Sequence, residues 1–268
     1  MTTPDKGLAV VTGASQGLGA AIAHELARAG FAVLLVARSL PALDHVRASV
    51  GALNGDRTFV LELDLLAPDA FDRIRSAITS TGFPLTCLVN NAGHGLYGLF
   101  HELLLTDQLR MMRLNMELPI TLTHGLLPDL KTAPRSYILN ISSMTAYGSI
   151  ATLAAYGGSK AFLLRWSRAL GVELRGTGVT VTCVCPGSII TGFTARAGML
   201  VMDDLARKFG SEPLPVARTA VNALLKGRAE VVPGALNRIT AFLQQCLPAG
   251  PVERVASGIY LKRLPGRK

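Results

Sequence analysis

The amino-acid sequence predicts an α/β fold in which a seven-stranded parallel sheet carries helices on both faces. Short apolar runs rich in β-branched residues recur along the 268 residues, and longer stretches with helical periodicity separate them. Runs such as "VLLV" (33–36) are apolar at every position, which is typical of strands buried on both faces. Because parallel strands need a crossover connection, the alternation of strands and helices favours a parallel sheet.

The predicted elements alternate in order from the first strand to the last. Strands are predicted at 8–12, 31–37, 58–63, 85–90, 136–141, 179–185 and 229–232. Helices are predicted at 17–30, 40–50, 68–80, 103–127, 152–175 and about 194–226. No repeat or linker interrupts this pattern, so residues 1–233 are predicted to form one catalytic domain. Residues 234–268 are predicted to be a basic, amphipathic, helical extension.

Composition and charge exclude several classes of protein. Hydrophobic residues make up 49% of the chain, yet no apolar run approaches the ~18 residues of a membrane span. The start, "MTTPDKGLAVV", lacks the pattern of a signal peptide, so we expect a cytoplasmic protein. The formal charge is +9, and residues 234–268 hold six basic side chains against Glu253 alone. No nucleic-acid-binding signature accompanies them, so we expect no nucleic-acid partner and interpret the charges as a solvated surface. Apolar residues of the tail recur at helical spacing, and we expect these stripes to dock on the protein's own core or on a second subunit, with a peripheral membrane contact as the alternative.

Cysteine and histidine spacing predicts neither a disulfide nor a metal site. There is no CxxC among the four cysteines, and three of them lie in strand-like runs, so we expect reduced, buried thiols. The five histidines lack ligand spacing.

A glycine-rich turn follows the first predicted strand, in "LAVVTGASQGLGAAIAHELARAG" (8–30). Gly13 permits a sharp turn, while Gly17 and Gly19 allow close approach of the backbone to a pyrophosphate. The helix that follows offers free N–H groups to the anion. The placement after the first strand of a βαβ unit predicts a dinucleotide site.

The end of the second strand predicts which dinucleotide binds. An acidic residue there would bond the ribose hydroxyls and repel a 2′-phosphate, but this strand ends in Ala37, Arg38 and Ser39. The guanidinium of Arg38 and the hydroxyl of Ser39 suit a phosphate dianion. We therefore predict NADP(H); the alternative is an ordinary solvated arginine at Arg38.

Tyr156 and Lys160 lie one helical turn apart in "AAYGGSKAF" (154–162). An ammonium beside the phenol is expected to lower the pKa of Tyr156 toward working pH, which suits general acid–base catalysis. Gly157 and Gly158 are poor helix formers, and we expect them to let neighbouring atoms approach this turn and to leave room beside the tyrosine. Taken alone, the pair is better explained as common surface decoration of a helix.

Four motifs in order resemble the short-chain dehydrogenase/reductase family between residues 8 and about 232. They are "TGASQGLG" (12–19), "NNAG" (90–93), "YGGSK" (156–160) and "PGSIIT" (186–191). The resemblance implies a Rossmann-type doubly wound sheet, a nicotinamide cofactor and a homodimer or homotetramer. It implies a catalytic tetrad of Asn115, Ser143, Tyr156 and Lys160, with Ser143 thirteen residues before the tyrosine.

Asn115 has separate support from the chain. Pro119 lies four residues later and has no N–H, so the backbone carbonyl of Asn115 loses its helical partner and is free to bind water. The resemblance places such a water in a proton relay to Lys160. The alternative is a helix merely kinked by proline.

Together, the motifs and the resemblance assign a larger set of residues to cofactor binding. In that set Asp64 and Leu65 meet the adenine, while Thr191 and the backbone of Ile189 hold the carboxamide; Asn90 and Thr12 are expected to tie strand ends together. The assigned residues are Gly13, Ser15, Gln16, Gly17, Leu18, Gly19, Arg38, Ser39, Asp64, Leu65, Asn91, Ala92, Gly93, Tyr156, Lys160, Pro186, Gly187, Ile189 and Thr191.

The substrate is predicted only by class. The stretch at about 192–215 is expected to be the substrate lid and offers Phe193, Met199, Leu200, Val201 and Met202, which suit a lipophilic ligand. The favoured hypothesis is an NADP(H)-dependent oxidoreductase acting on a mostly apolar ketone or secondary alcohol. The alternatives are a non-catalytic NADP(H)-sensing module and a membrane-surface-associated lipid or 3-oxoacyl reductase.

Overall fold

The computed structural model describes residues 6–190, 197 and 210–264, and it contains the predicted seven-stranded sheet. All neighbouring strands are parallel, in the order β3-β2-β1-β4-β5-β6-β7. The strands are β1 Leu8–Thr12, β2 Ala32–Ala37, β3 Thr58–Glu62, β4 Leu85–Asn90, β5 Ser136–Ile141, β6 Val179–Val184 and β7 Glu230–Val231. Each lies within a predicted run, which confirms the doubly wound fold class.

The described helices follow the prediction with three differences, one of which is that residues 210–212, inside the helix predicted at about 194–226, are not helical. The helices are α1 Gly17–Arg28, α2 Leu40–Asn54, α3 Ala70–Ser80, α4 Leu105–Met112, α5 Leu118–Leu130, α6 Ala154–Glu173, α7 Pro213–Leu225, α8 Ala235–Cys246 and α9 Ala249–Leu261. Helix α2 continues past the predicted end at residue 50 and stops at Gly55, whose φ of 66° is the left-handed conformation that glycine favours. The helix predicted over 103–127 is two helices joined by a π-helical turn, Arg113–Glu117.

Both faces of the sheet are covered, because alternate strand residues enter two separate cores. Val11 and Leu35 pack with residues of α1, α2 and α7 on one face. Val10 and Leu34 pack with residues of α3 and α5 on the other. This two-sided burial explains the continuous apolar runs in the sequence.

The order of the strands creates a crevice at the carboxyl ends of β1 and β4. The chain moves outward from β1 to β3 on one side and from β4 to β7 on the other, and ligands bind at such a switch point. The Thr12 hydroxyl donates to the Val89 carbonyl over 2.9 Å, and Asn90 Nδ2 donates to Asn140 Oδ1 over 2.8 Å. These bonds confirm that Thr12 and Asn90 tie strand ends together.

Cys87, Cys183 and Cys185 are buried free thiols, as expected, and Cys246 is exposed. No helix within the described ranges is long and apolar enough to cross a membrane.

The tail returns to the body of the protein. The Asn237 side chain fills the space beside Gly187, and Ser257 Oγ accepts a hydrogen bond from the Ala151 backbone N–H over 2.9 Å. Leu264 is buried against Tyr97 and Leu153. The end of the chain is therefore part of the structure around the crevice.

Candidate active site

A cavity of about 1090 Å³ opens along the carboxyl ends of the strands. It gathers residues from both halves of the sheet and from helices α4, α6 and α9. The predicted residues that line it are Gly13, Ser15, Gln16, Gly17, Leu18, Gly19, Arg38, Ser39, Asp64, Leu65, Asn91, Ala92, Gly93, Ser143, Tyr156, Lys160, Pro186, Gly187 and Ile189. Thr191 lies outside the described residues, and so do Phe193, Met199, Leu200, Val201 and Met202 of the expected lid.

The glycine turn has the tight packing that its sequence predicts. Gly13 and Gly17 have φ values of 66° and 59°, in the left-handed region. A Cβ on Gly19 would overlap the carbonyl oxygen of Gly13. Asn91 Nδ2 donates to the carbonyls of Thr12 and Gly13 over 2.9 and 3.1 Å, which fixes the turn against β4. The cradle is thus a surface of backbone that side chains would obstruct.

The outer end of the cavity carries one arginine that the sequence predicted and one that it did not. Arg38 follows β2, is exposed, and has no ion-pair partner among the described residues. Asp64 accepts a hydrogen bond from the Leu66 N–H through Oδ1 and pairs with Arg110 Nη2 at 3.3 Å through Oδ2. Arg110 also lines the cavity, and no motif in the sequence marks it.

Tyr156 and Lys160 are both buried at the inner end, on the first turns of α6. Lys160 Nζ donates to the Ile141 carbonyl over 2.9 Å and lies 5.9 Å from the centre of the Tyr156 ring. Ser143 follows β5 and caps a short 3₁₀ turn, and its side chain hydrogen bonds with Tyr156. Ser142, which strand alternation aims elsewhere, donates to the Lys160 carbonyl over 2.7 Å.

Burial sets the protonation states of this pair. It raises the pKa of Tyr156 to about 12, an effect that the hydrogen bond from Ser143 opposes. It lowers the pKa of Lys160 to about 8. The expectation that the ammonium would lower the tyrosine pKa is not met, because loss of solvation outweighs the charge at this separation. The phenol therefore carries its proton at neutral pH and is in the form of a general acid.

Asn115 lies behind the cavity wall, buried in the π-helical turn. Its Oδ1 accepts from the His94 N–H over 2.9 Å, and its Nδ2 donates to the His94 carbonyl and to Ser159 Oγ over 2.9 and 3.0 Å. A Cβ on Gly93 would stand 3.2 Å from Asn115 Oδ1 and 3.3 Å from Lys160 Nζ. The Asn115 side chain thus holds the "NNAG" segment against α6.

The expectation for Gly157 and Gly158 is wrong in one respect. A Cβ on Gly158 would have no protein atom within 4 Å, and one on Gly157 would meet only Thr145, at 3.6 Å. Within the part of the chain that the structure describes, no strand comes close to these two positions. Gly158 instead faces open space on the exposed side of the helix, and the room expected beside the tyrosine stays a prediction.

The wall near Tyr156 is largely apolar and includes the tail. His94, Met111, Leu114, Met144 and Leu153 line the inner part of the cavity, and α9 adds Ile259 and Tyr260. The sequence showed that α9 is amphipathic but carried no signal that it reaches the cavity.

Comparison with known proteins agrees with this geometry. The family described as short chain dehydrogenase matches residues 7–199, so the chain belongs to the short-chain dehydrogenase family of oxidoreductases, whose cofactor is a nicotinamide dinucleotide. The chain is 31% identical over 252 residues to the ketoacyl reductase HetN of Nostoc sp., covering 93% of this chain and 85% of that protein. It is 28% identical over 262 residues to mouse 17-beta-hydroxysteroid dehydrogenase type 3, covering 97% and 76%.

Solved structures share the architecture. A short-chain dehydrogenase from Sphingobium yanoikuyae in complex with NADPH superposes with a TM-score of 0.77 at 25% identity, covering 91% of this chain and 97% of that one. A 7beta-hydroxysteroid dehydrogenase superposes with a TM-score of 0.82 at 22% identity, covering 94% and 96%, and it shows the fold alone.

Proposed function

We propose that the protein is an NADP(H)-dependent oxidoreductase that transfers a hydride between nicotinamide and a mostly apolar ketone or secondary alcohol. One arrangement supports this most. A phenol, an ammonium and a serine hydroxyl converge at the inner end of a cavity whose outer end is a glycine cradle. We further propose that residues 1–233 are the catalytic domain, with a lid at about 192–215, and that 234–268 is an extension.

The described residues fit a dinucleotide. Gly13, Gly17 and Gly19 form a bare backbone surface at the N-terminus of α1, where N–H groups and the helix dipole favour a pyrophosphate. Arg38 and Ser39 offer donors for a 2′-phosphate, and β2 does not end in an acidic residue. Among solved relatives, one is described in complex with NADPH and another, 31% identical, in complex with NADP.

Each residue of the proposed tetrad has a defined task in ketone reduction. When bound, the nicotinamide supplies the hydride. Ser143 donates a hydrogen bond to the carbonyl oxygen and so stabilises the negative charge that develops there. Tyr156 gives its proton to that oxygen, which completes the alcohol. Lys160 stabilises the phenolate left behind, and Asn115 positions the "NNAG" segment beside it.

Tyr156→Phe tests this assignment because it removes one hydroxyl from a buried ring. We expect NADPH oxidation with ketones to fall about 10²- to 10⁴-fold, the usual contribution of general acid catalysis. Affinity for NADPH, followed by nicotinamide fluorescence, should fall far less than the rate, because the glycine cradle, Arg38 and Lys160 remain and only one of the assigned cofactor contacts changes. Tyr137→Phe is the matched control, since Tyr137 is also buried but packs against Phe31 and is not among the residues that line the cavity. If the wild-type protein binds NADPH yet reduces no ketone, the NADP(H)-sensing module is the better description.

We also propose a peripheral membrane contact through the tail, within a cytoplasmic location. Leu236 and Phe242 of α8 are 68% and 64% exposed, and Val255 of α9 is 70% exposed. Arg238 of α8, Arg254 of α9 and Lys262, which follows α9, are also exposed. An apolar face flanked by cations is the composition of an interfacial helix.

A homodimer or homotetramer is the proposed assembly. Helices α4 and α5 leave Leu105, Leu109, Met112 and Ile120 exposed on the body of the protein. Exposed apolar side chains grouped in this way mark protein–protein contacts. Sedimentation analysis measures the mass directly, and a monomer at all concentrations would contradict the assembly.

A further inference from the structure

Tyr260 places a phenol from the tail in the wall of the cavity that holds Tyr156. Its position is fixed from two sides. The Tyr97 hydroxyl donates to the Tyr260 carbonyl over 2.7 Å, and the two rings lie 6.5 Å apart. Leu264, four residues on, is buried in the same cluster. The side chain is therefore held in place before any substrate arrives.

The hydroxyl of Tyr260 has no hydrogen-bond partner among the described residues, whereas that of Tyr97 is used. Because no described protein group uses this hydroxyl and the residue lines the cavity, its O–H is available to a polar group of a bound ligand. Tyr260 and Tyr156 are also close enough to interact electrostatically, since Tyr260 contributes to the raised pKa of Tyr156. A ligand oxygen bound between them would lie near the reacting carbonyl.

We propose that Tyr260 is a specificity-determining residue that donates a hydrogen bond to a second oxygen of the substrate, two carbons from the ketone, as in a 3-oxo ester or thioester. This inference rests on the proposed ketone reductase function. Met111, Leu114 and Leu153 supply an apolar wall for the carbon chain of such a substrate. A steroid oxidised at both ends fits less well, because its two oxygens are separated by the whole ring system.

The relatives include proteins named for both substrate classes. HetN is named a ketoacyl reductase, and a protein of Laccaria bicolor, 34% identical over 177 residues, is named a very-long-chain 3-oxoacyl-CoA reductase. The mouse relative is named a hydroxysteroid dehydrogenase. Tyr260 is the feature of this chain that favours the first class.

Two ketones of equal length isolate the second oxygen. Ethyl 3-oxohexanoate and 4-nonanone have the same number of chain atoms and the ketone at the same position, but only the first carries an ester. In the wild-type protein we expect a higher kcat/KM for the ester. In Tyr260→Phe we expect kcat/KM for the ester to fall about three- to tenfold, mainly through KM, which is the range for one lost hydrogen bond. The value for 4-nonanone should change less than about twofold.

Val255→Ala is the matched control because it lies on the same helix and is 70% exposed, and both ketones should be unaffected. NADPH affinity should be the same in all three proteins. Equal losses for the two ketones, or no loss for either, would overturn the role of Tyr260 while leaving the reductase intact. Failure of the wild-type protein to reduce either ketone while it binds NADPH would overturn the reductase and this inference together.

Discussion

Lys160 shows how burial and function oppose one another at a single residue. The ammonium is surrounded by protein, which lowers its pKa to about 8, and it donates a hydrogen bond to the Ile141 carbonyl. Its proposed task requires the positive charge, because a neutral amine does little to stabilise a phenolate. Tyr156 has a pKa of about 12 and keeps its proton throughout the neutral range. As pH rises, the lysine is thus the first of the two to lose its proton.

This order predicts the pH dependence of ketone reduction. Below pH 8 both groups are protonated, so kcat/KM should be constant there. Above about 8 it should fall about tenfold per pH unit, as expected for loss of one essential proton from the free enzyme. Initial rates of NADPH oxidation from pH 6 to 10 measure the profile, with circular dichroism confirming that the fold persists. A rate that stays constant to pH 9.5 would contradict the requirement for charged Lys160.

Arg38 determines the proposed choice between NADP(H) and NAD(H). It is exposed at the end of β2, so replacing it disturbs no packing. In Arg38→Asp the new carboxylate should repel a 2′-phosphate and accept ribose hydroxyls, which reverses the preference. We expect NADPH affinity to fall at least about tenfold, with NADH affinity equal or higher, because a charge-assisted hydrogen bond is worth about 1.5–3 kcal/mol. Fluorescence titration measures both, and Arg47→Asp on the exposed side of α2 is the control. Unchanged NADPH affinity would refute the assignment.

At the scale of elements, Pro119 shows what the sequence could and could not predict. The missing N–H predicted that the helix would lose a hydrogen bond at Asn115. In the structure the chain forms a π-helical turn at this point, and the Leu118 N–H donates to the Arg113 carbonyl. Such turns are frequent at functional sites. Sequence alone could not distinguish a kink from a π turn, because the choice depends on how the Asn115 side chain bonds to His94 and Ser159 across the wall.

The first turn of α6 has more free space around Gly158 than its sequence suggested, which predicts that a larger residue there stabilises the protein. Gly158 is exposed, and a Cβ there would meet nothing within 4 Å. Alanine is favoured over glycine in a helix by about 0.8–1 kcal/mol, so Gly158→Ala should raise the free energy of unfolding by about that amount. Tm should rise by about 2–4 °C.

Thermal unfolding with and without NADPH measures the effect. Gly19→Ala is the informative contrast, because its Cβ would overlap the Gly13 carbonyl and should lower NADPH affinity. If Gly158→Ala does not raise the free energy of unfolding, helix propensity does not limit the stability of this turn.

At the scale of the whole molecule, the sequence predicted the sheet and the carboxyl-edge site because both follow from local patterns. Most strands are built around a short apolar, β-branched run, and the glycine turn and "NNAG" stand at the carboxyl ends of two strands that lie side by side. The contribution of the tail could not be predicted in this way. Tyr260 meets Tyr97 across 163 positions of the chain, and no spacing or composition records that contact.

Because the tail forms part of the cavity wall, the membrane proposal has to be tested with the tail in place. Removing residues 234–268 would also remove Tyr260 and the buried Leu264, so a loss of vesicle binding could reflect damage to the cavity. Ile239→Asp with Phe242→Asp is sharper, because these side chains are 57% and 64% exposed and their loss leaves the core intact. The wild-type protein should float with vesicles containing phosphatidylglycerol. Binding should weaken in 0.5 M salt, because the exposed cations of the tail contribute about 1 kcal/mol each near an anionic surface.

The double variant should lose at least about tenfold in vesicle affinity, because it removes two apolar anchors and adds two negative charges. Val172→Asp, another exposed apolar position, on α6, is the matched control and should bind as the wild type does. Ketone reduction measured without lipid should be equal in all three proteins, which separates membrane contact from catalysis. Equal flotation of the double variant and the wild type, or none by either, would remove the membrane from the description of the tail and leave α8 as a contact for protein alone.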